Sequence, residues 1–307
     1  MDLEPGGGPR LVGFSNHLGH AVGSAAAVPL LIGGIMLCAW LAGLAPRWSA
    51  AGTVTMKTNA SLALLLAGGA LILLHPYRRA AWGRQAGTAG AALISAIGVL
   101  TLSQHLFGWN LGIDELLARE VPGAAAPASP NRMGPVASTC LTLTGVALLL
   151  LRAGRRRLVP YLALAIVLIA LVPALGMIFD IPQFYDLPHL TAIAWPTVIS
   201  LVALGIGLVL ACPESGPLPQ FLRDDPGGNL FRQRLAISVV APVAMGLLVT
   251  LGVRRGLYTE PVGTGLLILA LIVILSFTNW RSAQRISELG EVRRRADDRI
   301  RASDERL

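Results

Sequence analysis

Long apolar runs separated by short polar loops set the rhythm of the chain. The runs cover approximately residues 25–45, 59–75, 88–107, 135–151, 160–179, 192–212, 235–253 and 262–277. Each approaches the ~20 residues that a helix needs to cross a bilayer core of ~30 Å. Their apolar positions fill every face and are not confined to one stripe, which is the pattern of a helix surrounded by lipid or by other helices. The predicted fold class is therefore all-α: a polytopic membrane bundle of eight transmembrane helices. A C-terminal cytoplasmic signalling helix follows it.

The runs repeat. Met56 to Leu74 and Met133 to Leu151 share residues in register 77 positions apart, among them Ala60/Ala137, Ser61/Ser138, Leu64/Leu141, Gly68/Gly145 and Leu71/Leu148. A fainter third copy runs through Pro196, Thr197, Leu201, Gly205, Gly207 and Leu208. The repeated unit is a spanning helix followed by one that returns, so the bundle is expected to consist of repeated hairpins. Gly98 and Gly176, 78 positions apart, are expected to mark the same point in successive copies. Pro135, Pro196 and Pro261 stand at first turns, where a missing N–H removes no helical bond. Ser61, Ser138, Thr142 and Thr144 are expected to bond between helices or back to their own carbonyls.

This divides the chain into a flexible cytoplasmic start over 1–22, an eight-helix domain over 23–279 and a cytoplasmic connector over 280–307. The start is polar and Gly-rich, with Arg10, His17 and His20, and a short interfacial helix is its alternative reading. A cleaved signal peptide is the rival account of the first run, but that run is long and its leader only weakly basic. The connector is charged. Ile286, Leu289, Ala296 and Ile300 fall at a/d-like spacings interrupted by Arg293, as in a weak two-helix coiled coil that transmits a signal. Asp225-Pro226-Gly227-Gly228 reads as a turn.

Composition strengthens the membrane reading. Apolar residues make up 54% and charged residues 14%, and mean hydropathy is +0.64. The net charge of +8 does not point to nucleic acid: Lys57 is the single lysine, and the arginines cluster in short loops and in the tail. With the N-terminus inside, nineteen of the 25 basic residues fall on the cytoplasmic side. The positive-inside rule then places both ends in the cytoplasm. Three scattered cysteines without CxxC spacing make no zinc or disulfide framework.

Chemistry is sparse. No run carries an acid, a base or a charged metal ligand near its middle. No HExxH, triad or phosphate loop appears. Catalytic residues, metal and cofactor are accordingly expected to be none, although a metal or haem site from His105 and His189 with Asp114 or Asp186 is one alternative. The mixed aromatic and acidic loops carry the best ligand patch. It comprises Trp109, Asn110 and Asp114 after the third run, and Phe184, Tyr185, Asp186 and His189 after the fifth. An aromatic belt with loop caps would look the same.

Together these residues resemble the multi-helix N-terminal membrane input domains of bacterial PAS-containing sensor histidine kinases, which are sometimes attached to diguanylate cyclases instead. The resemblance rests on the paired helix starts at Met56 and Met133 and on the Gly108-to-Leu117 segment with Gly112-Ile113-Asp114. It also rests on the Asp225-to-Arg234 segment and on the Arg293-Arg294-Arg295-Ala296 … Ser303-Asp304-Glu305-Arg306-Leu307 ending. It covers about residues 30–307. Val136 departs from it, standing where the first copy has Asn59. The resemblance implies a sensory input module, homodimeric through its last helix, that signals to a cytoplasmic kinase or other output domain. A small transporter is the alternative from another class. Broken helices and intramembrane charge would support it; the sequence shows neither, though Pro173 and Pro242 could kink their helices.

Overall fold

The computed structural model describes residues 9–51, 54–77, 81–120, 129–185 and 191–281. The chain is all-helical, with no strand among the described residues. It divides into two compact units, Met1–Pro219 and Gln220–Leu307.

In the first unit, α1 (Pro9–Leu41) and α2 (Leu44–Ala50) precede α3 (Thr58–Leu74), and α4 (Ala81–Phe107) precedes α5 (Pro135–Arg152). Then come α6 (Val159–Phe179), a 3-10 turn (Pro182–Phe184) and α7 (Trp195–Leu210). The second unit holds α9 (Pro226–Arg254) and α10 (Glu260–Arg281), with the short α8 (Leu218–Leu222) at the division. Six helices are long and apolar enough to cross a membrane: α1 from Asn16, α4 from Gly83, α5, α6, α9 and α10. The other two apolar helices, α3 and α7, are shorter, at 17 and 16 residues. The chain is thus built as a multi-pass membrane protein.

The repeats appear as three hairpins, α1–α3, α4–α5 and α6–α7, each packed along its own length. Neighbouring hairpins meet through α3 with α4, α5 with α6, and α7 with α1, which closes a ring. The three returning helices α3, α5 and α7 also meet one another, so they form the centre while α1, α4 and α6 lie outside them. Leu64, Leu141 and Leu201, and likewise Leu71, Leu148 and Leu208, are fully buried there. The third copy follows the second by 60 positions.

Glycine sets the spacing inside each hairpin. A Cβ on Gly68, Gly145 or Gly205 would stand 2.5, 2.8 or 3.0 Å from the carbonyl oxygen of Ala26, Ala91 or Ala163. Lipid offers no hydrophobic drive for helices to pair, so this close approach supplies van der Waals contact instead. Gly98 shares in it, against Ser138 and Thr142. Gly176 does not: it faces Phe184, Tyr185 and Ile181 of its own following loop. The expected equivalence of Gly98 and Gly176 therefore fails. A spacing of 78 is close to the first repeat interval of 77, but the second interval is 60.

Two further boundaries differ from expectation. Helix α1 begins at Pro9, inside the stretch read as a flexible start, and stops where Gly43 takes a left-handed φ of 70°. Asp225 opens a helix and not a turn: its side chain accepts from the Gly228 N–H at 2.7 Å, with Pro226 at the first helical position. The proline that punctuates a loop also initiates a helix. Helices α6 and α9 run unbroken through Pro173 and Pro242. Ser61, Thr142, Thr144 and Ser200 bond back to carbonyls four residues earlier, Ser138 three. The expected connector positions Ile286, Leu289, Ala296 and Ile300 lie outside the described residues.

Candidate functional site

Each returning helix is entered by a short, largely buried, non-helical lead whose last residue is extended: 54–57 before α3, 131–134 before α5 and 191–194 before α7. Non-helical chain buried at a helix entry must find partners for its N–H and C=O groups. The partners come from the ends of the outer helices. Trp40 of α1 donates its indole N–H to the Met56 carbonyl at 2.7 Å. At the matching place in the second hairpin, His105 of α4 has Nε2 2.9 Å from the Met133 carbonyl.

Between the first and second hairpins the leads are tied down by charge. The Lys57 ammonium pairs with Glu120, with side chains 4% and 1% exposed. Glu120 also accepts from the Ser49 hydroxyl at 3.1 Å and from the Asn131 N–H at 2.6 Å. The Asn131 side chain accepts from the Thr58 N–H at 3.1 Å and donates to the Thr58 hydroxyl and the Ala118 carbonyl. It thereby caps α3 from 73 residues away. Asn131 has φ 51°, a left-handed conformation that Asn tolerates better than most residues. A second ion pair joins Arg132 to Asp114 at 2.8 Å. Gln104 bridges it, donating to Asp114 at 3.2 Å and accepting from Arg132 at 3.1 Å. Asp114 and Glu120 of the otherwise largely exposed segment after α4 thus form a buried polar clamp on the leads. Attraction offsets the desolvation of these ions only because their remaining oxygens and protons are also bonded.

Between the first and third hairpins the corresponding region is open. A cavity of about 480 Å³ lies there. Met36, Met56 and Met177 line it, as do Trp48, Tyr185 and Trp195. Among the described residues no charged side chain does. Thr55, only 5% exposed, is also in the wall, and its hydroxyl has no hydrogen-bond partner.

The seven residues expected to form one patch are distributed differently. Asp114 is buried in the clamp, and Asn110 lies beside it, its side-chain oxygen 3.5 Å from an Arg132 guanidinium nitrogen. Trp109 packs on Phe107 and donates to the Ser103 hydroxyl. Tyr185 lines the cavity, and Phe184, half-exposed, lies against Gly176. Asp186 and His189 lie outside the described residues. The carboxylate and the tyrosine expected together thus serve two separate places. His105 and Asp114 are the described members of the alternative metal set, and they are engaged by the Met133 carbonyl and by Arg132 with Gln104. Among the described residues no group of three or more His, Cys, Asp or Glu converges.

Two groups outside the spans are electrostatically displaced. Donation from the Gly228 N–H, aided by Arg223, holds the Asp225 carboxyl below its ordinary range. Burial pushes the Tyr77 phenol up, with Cys212 and Glu214 adding to the shift.

Sequence reasoning missed Lys57, Glu120, Asn131, Arg132 and Thr55. The one available signal was Lys57 itself, a lone lysine at a repeated helix start.

No protein-family model matches the chain, and neither does any curated protein or solved structure.

Proposed function

We propose that this chain is a membrane-embedded sensory input module that passes a stimulus through its last helix to a cytoplasmic output, a PAS-linked histidine kinase. The ring of three hairpins receives the stimulus. The α9–α10 hairpin relays it into the charged sequence after Arg281. All eight apolar helices cross the bilayer, with both chain ends in the cytoplasm of a bacterial cell, and two copies associate through the last helix.

The observation that carries the reading is the division of labour along the chain. The first unit has a centre of small and apolar residues, with no charge in the body of the central helices or of α6. It is clamped at one end and hollow beside the clamp. The second unit is a pair of apolar helices whose second member leads directly into a segment dense in arginine. The short helices suit this reading. At ~1.5 Å per helical residue and ~3.3 Å per extended residue, α3 or α7 together with its buried lead covers the hydrocarbon thickness. A stimulus acts by favouring one of two packings, and so requires different affinity for each.

The test is a chimera of this chain with a histidine-kinase reporter, carrying insertions of one to four residues after Gly290. Output that rises and falls with helical phase is expected. Output indifferent to phase would remove the relay. Reporter tags at the two termini are expected on the cytoplasmic face, and tags on opposite faces would remove the eight-span topology.

A further inference from the structure

We infer that the cavity between the first and third hairpins binds a neutral, flat six-membered ring that presents one oxygen to the wall, of the phenol or quinone kind. As the stimulus, such a ligand rests on the sensory reading above. As a bound molecule, it stands on the geometry of the cavity alone.

Four features define the ligand. The volume, about 480 Å³, is within the usual range for small-molecule sites. Among the described residues the wall carries no charged side chain, so an ionic ligand would lose its hydration without gaining a counter-charge from them. Three methionines and three aromatics suit a flat ring, through sulfur–aromatic contact and offset or edge stacking. Finally, the wall makes one polar demand. The Met56 carbonyl is already satisfied by Trp40, which leaves the Thr55 hydroxyl as the buried polar atom without a partner. Burying a hydroxyl unpaired costs free energy that valine, of the same branched shape, would avoid. A ligand oxygen removes that cost: the hydroxyl donates to a quinone carbonyl or accepts from a phenol O–H.

The wall is also held in position. Tyr185 is tethered by the Ile193 N–H, which donates to its carbonyl at 3.1 Å. Its ring packs against Gly176, where a Cβ would stand 3.1 Å from ring carbon Cδ1. Trp48 and Trp195 remain half-exposed, at a position where tryptophan prefers the membrane–water boundary. That placement admits a ring from water or from lipid.

The test titrates the full chain in lipid nanodiscs and reads tryptophan fluorescence. 4-Bromophenol represents the aqueous source and decyl-substituted benzoquinone the lipid source, and saturable quenching by either supports the site. Thr55→Val is expected to weaken that ligand about tenfold, while 4-bromotoluene, which lacks the oxygen, binds both proteins alike. Val54→Phe, which fills the cavity, abolishes saturation. Absence of saturable quenching by both probes overturns the proposal, as does equal affinity in Thr55→Val. Tetramethylammonium binding more tightly than 4-bromophenol overturns it too, because the aromatics would then be a cation cage. Binding intact with phase-independent reporter output refutes only the sensory reading. Phase dependence without binding refutes only this site.

Discussion

The first hairpin meets its two neighbours in opposite ways, although the backbone brings the same lead to both. Towards the second hairpin the contact is filled by the buried Lys57–Glu120 pair and an asparagine cap, and a second buried pair, Arg132–Asp114, stiffens the second hairpin's own side of it. Towards the third it is hollow, apolar and short of one hydrogen bond. The repeat register makes the contrast specific. Positions 55, 132 and 192 correspond, and they hold Thr, Arg and Ala. Where the lead carries Arg132, Asp114 and Gln104 close around it. Where it carries Thr55, no protein group reaches the hydroxyl. Repeated backbone thus supplies equivalent places, and a single side chain in each decides whether the place is structural or vacant for a ligand.

The largest expected effect is on the filled side. Glu120→Gln leaves the Lys57 ammonium buried without an anion, and should destabilise the chain by ~3–5 kcal/mol in detergent or nanodisc denaturation. Adding Lys57→Met should recover most of that loss, since the oxygen of the substituted amide still serves the Asn131 N–H. A double variant no better than Glu120→Gln would show that the pair is not the clamp's main element. Asp114→Asn comes next, at ~1–3 kcal/mol. The loss is smaller because Arg132 keeps Gln104. If Asp114→Asn cost more than Glu120→Gln, the Arg132–Asp114 pair would be the clamp's main element instead.

The comparison also separates what sequence reasoning reached from what it could not. Leu64, Gly68 and their copies are legible because each repeats a demand for the same volume at the same helical position. The third copy is fainter because its interval shortens, and that shortening misdirects the Gly98–Gly176 alignment. The clamp is not legible. Lys57 and Glu120 are 63 residues apart, and loop charges at a membrane surface normally meet water. Arg119 and Glu120 are adjacent, yet only Glu120 enters an ion pair among the described residues. Tyr185 lines a cavity, but Asp114 does not accompany it. A carboxylate with an arginine 18 residues later has a partner inside its own loop. Thr55 aligns with Arg132 in the 77-residue register, but the register does not show what lies against either side chain.

A smaller effect tests the hairpin spacing that both sides share. Gly68→Ala places a methyl 2.5 Å from the Ala26 carbonyl oxygen and should cost ~1–3 kcal/mol. Its neighbour Gly69 has only the tip of the Leu30 side chain, at 3.9 Å, before a new Cβ. Gly69→Ala should therefore gain up to ~1 kcal/mol from helix propensity. Equal losses at the two positions would mean that the α1–α3 approach does not set the geometry of either neighbouring contact.

The smallest effect has the most informative sign. On the filled side every removal of a polar group should destabilise, because another buried group loses its partner. On the hollow side Thr55→Val removes a hydroxyl that nothing in the protein satisfies. The valine keeps the branched shape and nearly the same volume in a non-helical segment, so no cavity opens and no helix is strained. The ligand-free variant should melt at or slightly above the parent, by no more than ~1 kcal/mol in free energy. A clear loss of stability would mean that the hydroxyl has a partner within the fold. Position 55 would then be structural like position 132, and the contrast between the two contacts of the first hairpin would disappear.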